Sequence, residues 1–387
     1  MRRNKKSSTN FKVFELKIKD TNPEYFRNLF LEAKWLSNSV ISSEDVFKYS
    51  LKQNCIGVLK DGEIEIRQLK AISSQMKQNI IFRLQDNIKG LSVKKKKGVK
   101  AGRLRFVKEV NSIPLSNQTF TIKGNKVRFQ KNKQWFQIRG VEQLGENPDI
   151  RCGTLIRKPS GIYLHVCIAV EKREPTPTIT DIGLDFGIKD HFTFSDGTKI
   201  NFSAKEQERK IRKAQKDLSR KQSKSHNWYK SRRQLKKKYE KLNNIKKDAS
   251  NKIISSLKHF NIVFQDEMIA NWQKGLFGRQ VQSSILGRIK ATLQKNTANL
   301  MIDRSLRTTK TCFVCGQVND IKLKDRTYSC DCGYSCDRDI HGARNMLRFA
   351  GLEQASVERE SDFQRVLSSI QCKHLSVKQE ALSFRVE

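Results

Sequence analysis

Four cysteines in the last quarter of the chain constrain its fold more than any other feature. Cys312 and Cys315 form a CxxC followed by Gly316, and Cys330 and Cys332 form a tighter CxC followed by Gly333. Four thiolates in two close pairs suit a tetrahedral zinc site of the ribbon type, in which a glycine after each pair permits the knuckle turn. A redox CxxC would account for the first pair and leave the second unexplained. Cys336 is an alternative ligand, although its place in YSCDRD suits a small buried residue. Cys55, Cys152, Cys167 and Cys372 stand apart in the sequence and read as structural or incidental. No open coordination position is implied, so one structural zinc is expected.

The ribbon runs directly into an acid. Asp339 lies in CDRDIHGARNML, at the opening of a helix that continues through Ala343 and Met346. Two further acids sit on apolar strands: Asp185 in IGLDFGIKD, between Gly183 and Gly187, and Glu267 at the end of NIVFQDE. Any one of them could be a turn residue or a helix cap. Taken together, the order strand, strand, basic helices, strand, helix and final helix is that of an RNase H-like core, in which acids from different elements meet at one end of the sheet. Carboxylates are the ligands hard cations prefer. Two Mg²⁺ ions about 3.5–4 Å apart can activate water and stabilise the leaving oxygen in phosphodiester hydrolysis. Asp266 stands beside Glu267, so the register of the second acid stays open by one residue.

Charge narrows the substrate. Lysine and arginine total 77 against 39 acids, a formal net charge of +38. An excess of this size calls for a polyanion, and nucleic acid leads over a merely solubilising surface or anionic lipid. Residues 205–247 concentrate it, with eighteen lysines and arginines against four acids. Ile211, Ala214 and Leu218 mark one apolar stripe there; Leu235, Tyr239, Leu242, Ala249, Ile253 and Leu257 mark another after the SKSHN break. This predicts a helical hairpin with basic outer faces, on which Arg232, Arg233, Lys236, Lys237 and Lys238 are candidate nucleic-acid contacts. Nothing in the chain reads as a membrane span. MRRNKKSSTNF leads into no apolar run of signal-peptide length, so a cytoplasmic protein with reduced thiols is expected.

The first half reads as a β module interrupted by helices. FKVFELKIK alternates as a strand; Phe26, Leu29, Phe30, Ala33, Leu36 and Val40, then Leu69, Ile72, Met76, Ile80, Leu84 and Ile88, recur at helical spacing. Lys94, Lys95, Lys96 and Lys97, with Gly98 and Gly102, read as a basic loop and a second candidate nucleic-acid contact. TFTIKGNKVRFQ, QWFQIRG and GIYLHVCIAV return to short strands, and EPTPT at 174–178 marks a linker. DIGLDFGIKDHFTFSDGTKI predicts two strands around a turn. Residues 351–387 carry five basic and six acidic residues; without the basic bias they are expected to lie outside the nucleic-acid surface, in a composition compatible with disorder.

From the N-terminal strand to about Ala350 the chain resembles the TnpB proteins encoded by bacterial insertion sequences. GLDFGIKD resembles the first RuvC motif, FQDE the second and DRDIHGARNM the third, while TTKTCFVCG and YSCDCG resemble the inserted zinc ribbon. The resemblance is specific in the second half and loose in the first; type V CRISPR effectors share the arrangement. By position, Asp185, Glu267 and Asp339 correspond to the family's catalytic, magnesium-binding triad. Asp339 is preferred to Asp337 because the family's acid stands two residues before an Asn, a place taken here by His341.

The fold implied is α/β and β multidomain. A β-barrel-like wedge domain (1–20 and 103–174) carries a helical recognition insertion (21–102). An RNase H-like RuvC nuclease domain (175–350) holds the zinc ribbon (308–336), and 351–387 form a tail. The resemblance also implies a structured guide RNA, a double-stranded DNA target with a displaced strand, a short target-adjacent motif, and a monomer in the RNA complex. A CRISPR effector with an array-derived guide and a guide-dependent repressor would share these features, but a repressor would be expected to have lost an acid, and all three are present.

Overall fold

A computed structural model describes residues 9–19, 22–58, 62–171, 180–322, 325–352 and 357–380. The chain forms two compact units, Met1–Arg173 and Glu174–Glu387. The linker read at 174–178 lies outside the described residues. Among those residues no helix is long and apolar enough to cross a membrane.

The first unit contains β1 (Thr9–Ile18), α1 (Pro23–Ser42), β2 (Cys55–Val58), β3 (Ile64–Arg67), α2 (Ser74–Lys96), β4 (Ser112–Ser116), β5 (Phe120–Lys123), β6 (Lys126–Phe129), β7 (Phe136–Arg139), β8 (Asp149–Lys158) and β9 (Gly161–Glu171). Seven of the strands form one antiparallel sheet in the order β4-β8-β9-β1-β7-β6-β5. Its edge strands β4 and β5 are separated by only three residues, and the ring of Phe120 lies against Gly153 of β8, so the sheet curls almost back onto itself. Each helix starts where its cap dictates: Asn22 accepts from Tyr25 N with Pro23 in the first turn, and Ser73 accepts from Met76 N. Their apolar stripes share one core with the sheet, in which Phe26, Leu29, Met76 and Ile80 meet Leu16, Phe129 and Phe136.

The lysine run expected to be a loop is helical. Lys94, Lys95 and Lys96 complete the last turn of α2, and Lys97 caps it. Lysine is a good helix former and its charge is favourable at a helix C-terminus, so no apolar periodicity is needed to carry the helix to its end. Cys152 and Cys167, distant in sequence, are cross-strand partners on β8 and β9.

The second unit contains β10 (Asp181–Phe186), β11 (Phe192–Phe194), β12 (Thr198–Phe202), α3 (Lys205–Ser219), α4 (His226–Leu257), β13 (Asn261–Gln265), α5 (Ile269–Trp272), α6 (Gly278–Ser283), α7 (Leu286–Leu293), β14 (Leu300–Ile302), β15 (Thr327–Ser329), β16 (Ser335–Asp337), α8 (Arg338–Phe349), α9 (Val357–Ser368) and β17 (Leu375–Gln379). Its main sheet runs β14-β13-β10-β11-β12-β17, with β10, β13 and β14 parallel and the other pairs antiparallel. The segment predicted as two strands therefore makes three. Ile182, Leu184 and Phe186 point into a core shared with α4, α7 and α9. Gly183 and Asp185, alternate residues of the same strand, face the other way, towards α8.

The described part of 351–387, residues 351–352 and 357–380, is not a detached tail. Its β17 pairs with β12 over five residues, and Phe363 of α9 is fully buried against Phe194 and Phe260. Apolar residues too sparse to announce a core in the sequence suffice here because the sheet already offers an edge and a face to cover.

Candidate carboxylate and cysteine centre

Helix α8 passes directly over β10. A Cβ at Gly183 would collide with the carbonyl of Ala343, so this glycine lets strand and helix approach; a Cβ at Gly342 would meet Oδ2 of Asp185 at 3.6 Å, an ordinary contact. That approach sets Asp339, in the first turn of α8, beside Asp185. Burial, and then the charges of Asp339 and Glu267, push the Asp185 carboxyl up to about 8; the backbone N–H of Phe186 and the Arg338 guanidinium oppose the rise. Glu267 is also raised, by burial and by Asp266, against the pull of Lys290. Three acids from β10, the end of β13 and α8 thus converge. They leave a surplus of negative charge that a divalent cation would neutralise.

Each neighbouring acid is occupied elsewhere. Lys290 of α7 donates to Oδ1 of Asp266 at 2.6 Å and to the carbonyl of Glu267 at 2.5 Å. It thereby ties down Asp266 and fixes the backbone that carries Glu267. Asp337 caps α8: its Oδ1 accepts from the N–H groups of Asp339 (2.9 Å) and Ile340 (3.1 Å). Asp339 itself forms a 3.6 Å ion pair with Arg338. Lys290 escaped sequence reading because nothing local marks its pairing with Asp266; the cap at Asp337 carries the ordinary Asp N-cap signal just before the helix, and sequence reading passed over it in favour of Asp339.

The thiols of Cys312, Cys315, Cys330 and Cys332 all lie within 4.8 Å of one another. Cys312 Sγ is 3.6 Å from Cys332 Sγ, and Cys315 Sγ is 3.6 Å from Cys330 Sγ. A tetrahedron with metal–sulfur bonds of about 2.3 Å has edges of about 3.8 Å, so the four thiols fit a single zinc-sized ion. Gly316 (φ +83°) and Gly333 (φ +87°) make the knuckle turns in the left-handed region. A hydrogen bond from the backbone of Cys332 leads in pulling the Cys330 thiol down to about 6. Cys336 stays outside the cluster, on β16 opposite Tyr328, where burial raises its thiol. Among the described residues, the four cysteines are the one group of three or more His, Cys, Asp or Glu whose ligand atoms draw this close. The carboxylate trio is more open.

The two centres share one helix. On α8, Asn345 Nδ2 donates to the carbonyls of Thr308 and Thr311 (2.7 Å each), and Arg348 donates to those of Cys312 (2.9 Å) and Phe313. Fully buried Arg344 donates to Ser195 O at 3.2 Å. Burial pushes His341 down to about 4, which leaves a neutral ring stacked on Tyr328 of the ribbon.

The basic hairpin is formed by α3 and α4. Ser225, in the predicted break, caps α4, and Gln207 and Gln215 of α3 bond to Lys238 O and the Tyr239 hydroxyl. The buried residues of α4 are confined to its C-terminal part: Ala249, Ser250, Ile253 and Leu257. Arg233, Lys236 and Lys237 are exposed, Lys238 is half-buried, and Arg232 lies over the Trp228 ring at 5.2 Å. In the first unit, Lys94, Lys95, Lys96 and Lys97 are exposed.

Residues 165–261 match a family model described as probable transposase, and residues 288–346 match the Cas12f1-like TNB domain. A protein of Streptomyces pristinaespiralis named "Putative RNA-guided DNA endonuclease" is 29% identical over 253 residues, 62% of this chain and 63% of that protein. The Escherichia coli (strain K12) protein named "Putative RNA-guided DNA endonuclease InsQ" is 27% identical over 213 residues, 48% of this chain and 53% of that protein. The matches thus span less than two thirds of either relative. A solved chain from a Cas12f1–sgRNA–target DNA complex aligns over 88% of this chain and 99% of that chain, at 13% identity and a TM-score of 0.49.

Proposed function

We propose that this chain, which belongs to the TnpB family, is an RNA-guided DNA endonuclease that cuts with Asp185, Glu267 and Asp339. The observation that carries this reading is the convergence of three acids at the meeting of β10, β13 and α8, where burial first, and then the charges of Asp339 and Glu267, raise Asp185 to about 8. Such a cluster has little structural use without a cation, because burying like charges together costs stability. The carboxylates of Asp185, Glu267 and Asp339 would hold Mg²⁺, which when bound supplies an activated water and a stabilised leaving oxygen. The chain's own part is to aim those carboxylates: Gly183 sets the approach of helix to strand, Lys290 holds the Glu267 backbone, and Asp337 caps the turn that bears Asp339. Cys312, Cys315, Cys330 and Cys332 would hold a structural Zn²⁺ that ties the ribbon to the same helix.

Guide RNA and target DNA would lie along the basic faces. The hairpin residues Arg232, Arg233, Lys236, Lys237 and Lys238, and Lys94, Lys95, Lys96 and Lys97 in the other unit, are suited to grip phosphates. Base pairing with the guide supplies sequence specificity, and the protein reads a short motif beside the target and holds the displaced strand. The working form would be a monomer with its RNA, in the bacterial cytoplasm and on the nucleoid when bound to DNA.

One plasmid, incubated with two different guides and with none, tests the proposal. The cut should move with the guide and vanish without it; equal cutting at one place in all three tubes would refute RNA guidance while leaving a metal-dependent nuclease. Sequencing the RNA that co-purifies with the protein distinguishes a transposon-derived guide from an array-derived one.

A further inference from the structure

Lys199 is a charged residue where the fold should not tolerate one. Its side chain is only 4% exposed, on β12 in the interior of the second unit's sheet. Burying a lysine costs several kcal/mol unless its charge is met. Two acids meet it: Oδ2 of Asp337 at 3.2 Å and Oε2 of Glu380 at 2.8 Å. Asp337 is the N-cap of α8, and its other oxygen holds the N–H groups of Asp339 and Ile340. Glu380 follows β17, the strand contributed by the C-terminal segment. A continuous polar chain therefore runs from the C-terminal segment through Lys199 and Asp337 to the backbone of Asp339. The sheet register adds a second relation. Asp185 pairs with Thr193, and Thr193 with Lys199, so Asp185 and Lys199 stand in one cross-strand row, on one face of the sheet.

We infer that Lys199 is a positioning residue for the carboxylate centre, acting through Asp337, with Glu380 as its second anchor. The inference rests on the proposed role of Asp185, Glu267 and Asp339 as cation ligands. Lys199 does two things at once. It holds Asp337 in the capping geometry that fixes the first turn of α8, and it occupies the Asp337 oxygen left over from capping. A fourth carboxylate two residues from Asp339 is thereby kept from competing for the cation. Without the lysine, Asp337 would be released, the turn would loosen, and the C-terminal segment would lose its link to the site.

The test uses the full chain carrying Lys199→Met, Lys199→Arg or Glu380→Gln. Mn²⁺ binding is followed by electron paramagnetic resonance without nucleic acid, and guided cleavage is followed across a Mg²⁺ titration. Loss of a residue that orients a ligand lowers metal affinity or activity by about 10–100-fold. Lys199→Met should weaken Mn²⁺ binding by about tenfold and raise the Mg²⁺ needed for half-maximal cleavage by a similar factor, with guided target binding unchanged. Lys199→Arg should recover part of the loss, and Glu380→Gln should fall between. A lower melting temperature with unaltered Mn²⁺ affinity and Mg²⁺ dependence would make the lysine merely structural and overturn the inference. If Lys199→Met does not fold, unaltered metal behaviour in Glu380→Gln overturns it equally. Wild-type protein that binds Mn²⁺ but never cuts would instead count against the nuclease reading, and the Mn²⁺ affinities would still decide the role of Lys199.

Discussion

The imidazole of His341 lies face to face with the ring of Tyr328, their centroids 3.7 Å apart and their planes 18° from parallel. Both side chains are fully buried, one on α8 and the other in the ribbon, so the stack is a joint between the cysteine cluster and the helix that bears Asp339. His341→Ala would open a cavity in this joint and should cost about 2–4 kcal/mol of stability. Urea unfolding of wild type and variant measures it; an unchanged midpoint would show that the stack adds nothing to the joint that Asn345 and Arg348 already make.

The surroundings of the acids predict which neighbours are dispensable. Asp185→Ala, Glu267→Gln and Asp339→Ala should each remove several kcal/mol of transition-state stabilisation, a loss in cutting of at least about a hundredfold, while guided binding persists. Asp266→Asn should retain cutting, because Asp266 is engaged by Lys290. Gel cleavage assays on the four variants decide this, and a dead Asp266→Asn beside an active Glu267→Gln would reverse the assignment.

Metal analysis should find one zinc per chain. Cys312→Ala should lose the ion and lower stability and cutting together, since structural metal binding is folding free energy. Cys336→Ala should keep the ion, being outside the cluster. Zinc retained by the first variant or lost from the second would redraw the ligand set.

Neutralising Arg232, Arg233, Lys236, Lys237 and Lys238 should flatten the salt dependence of nucleic-acid binding by up to about 0.7–0.9 in log–log slope for each phosphate no longer neutralised. Because Arg232 also rests on Trp228, its single substitution should unsettle the start of α4 as well. A slope equal to that of the wild type would make the hairpin a solvated surface.

A pH effect should arise away from the carboxylate centre. Asp196 is fully buried in the turn between β11 and β12, where it accepts from Thr198 N and Oγ1; burial leads in raising its pKa from 3.8 to about 6, and Glu360 of α9 adds to the rise. A carboxyl raised on folding contributes stability below about pH 4 and loses it as pH climbs past about 6. Asp196→Asn cannot ionise, so its stability relative to wild type should grow across that window, by up to about 3 kcal/mol. Melting curves at about pH 4.5 and about pH 7.5 test the sign; a variant that loses ground as pH rises would contradict it.

Short-range chemistry was legible in the sequence. Two cysteine pairs with their glycines determine a knuckle wherever they occur, because thiol spacing and positive φ are local properties. Asp185 between glycines in an apolar strand, and the apolar stripes of α1, α2, α3 and α4, were likewise visible, because strand and helix periodicity are written over a few residues. The sequence could not separate Asp266 from Glu267, and it chose Asp339 over Asp337 only by family position. In the tertiary structure Asp266 is paired with Lys290, 24 residues away, and Asp337 with Lys199, which lies 138 residues before it. Tertiary structure also drew the C-terminal segment into the sheet, where β17 finds an exposed edge of β12 and Glu380 finds a buried lysine. Such choices depend on which distant groups arrive at the same place with opposite charge or an unpaired edge, and packing alone determines that.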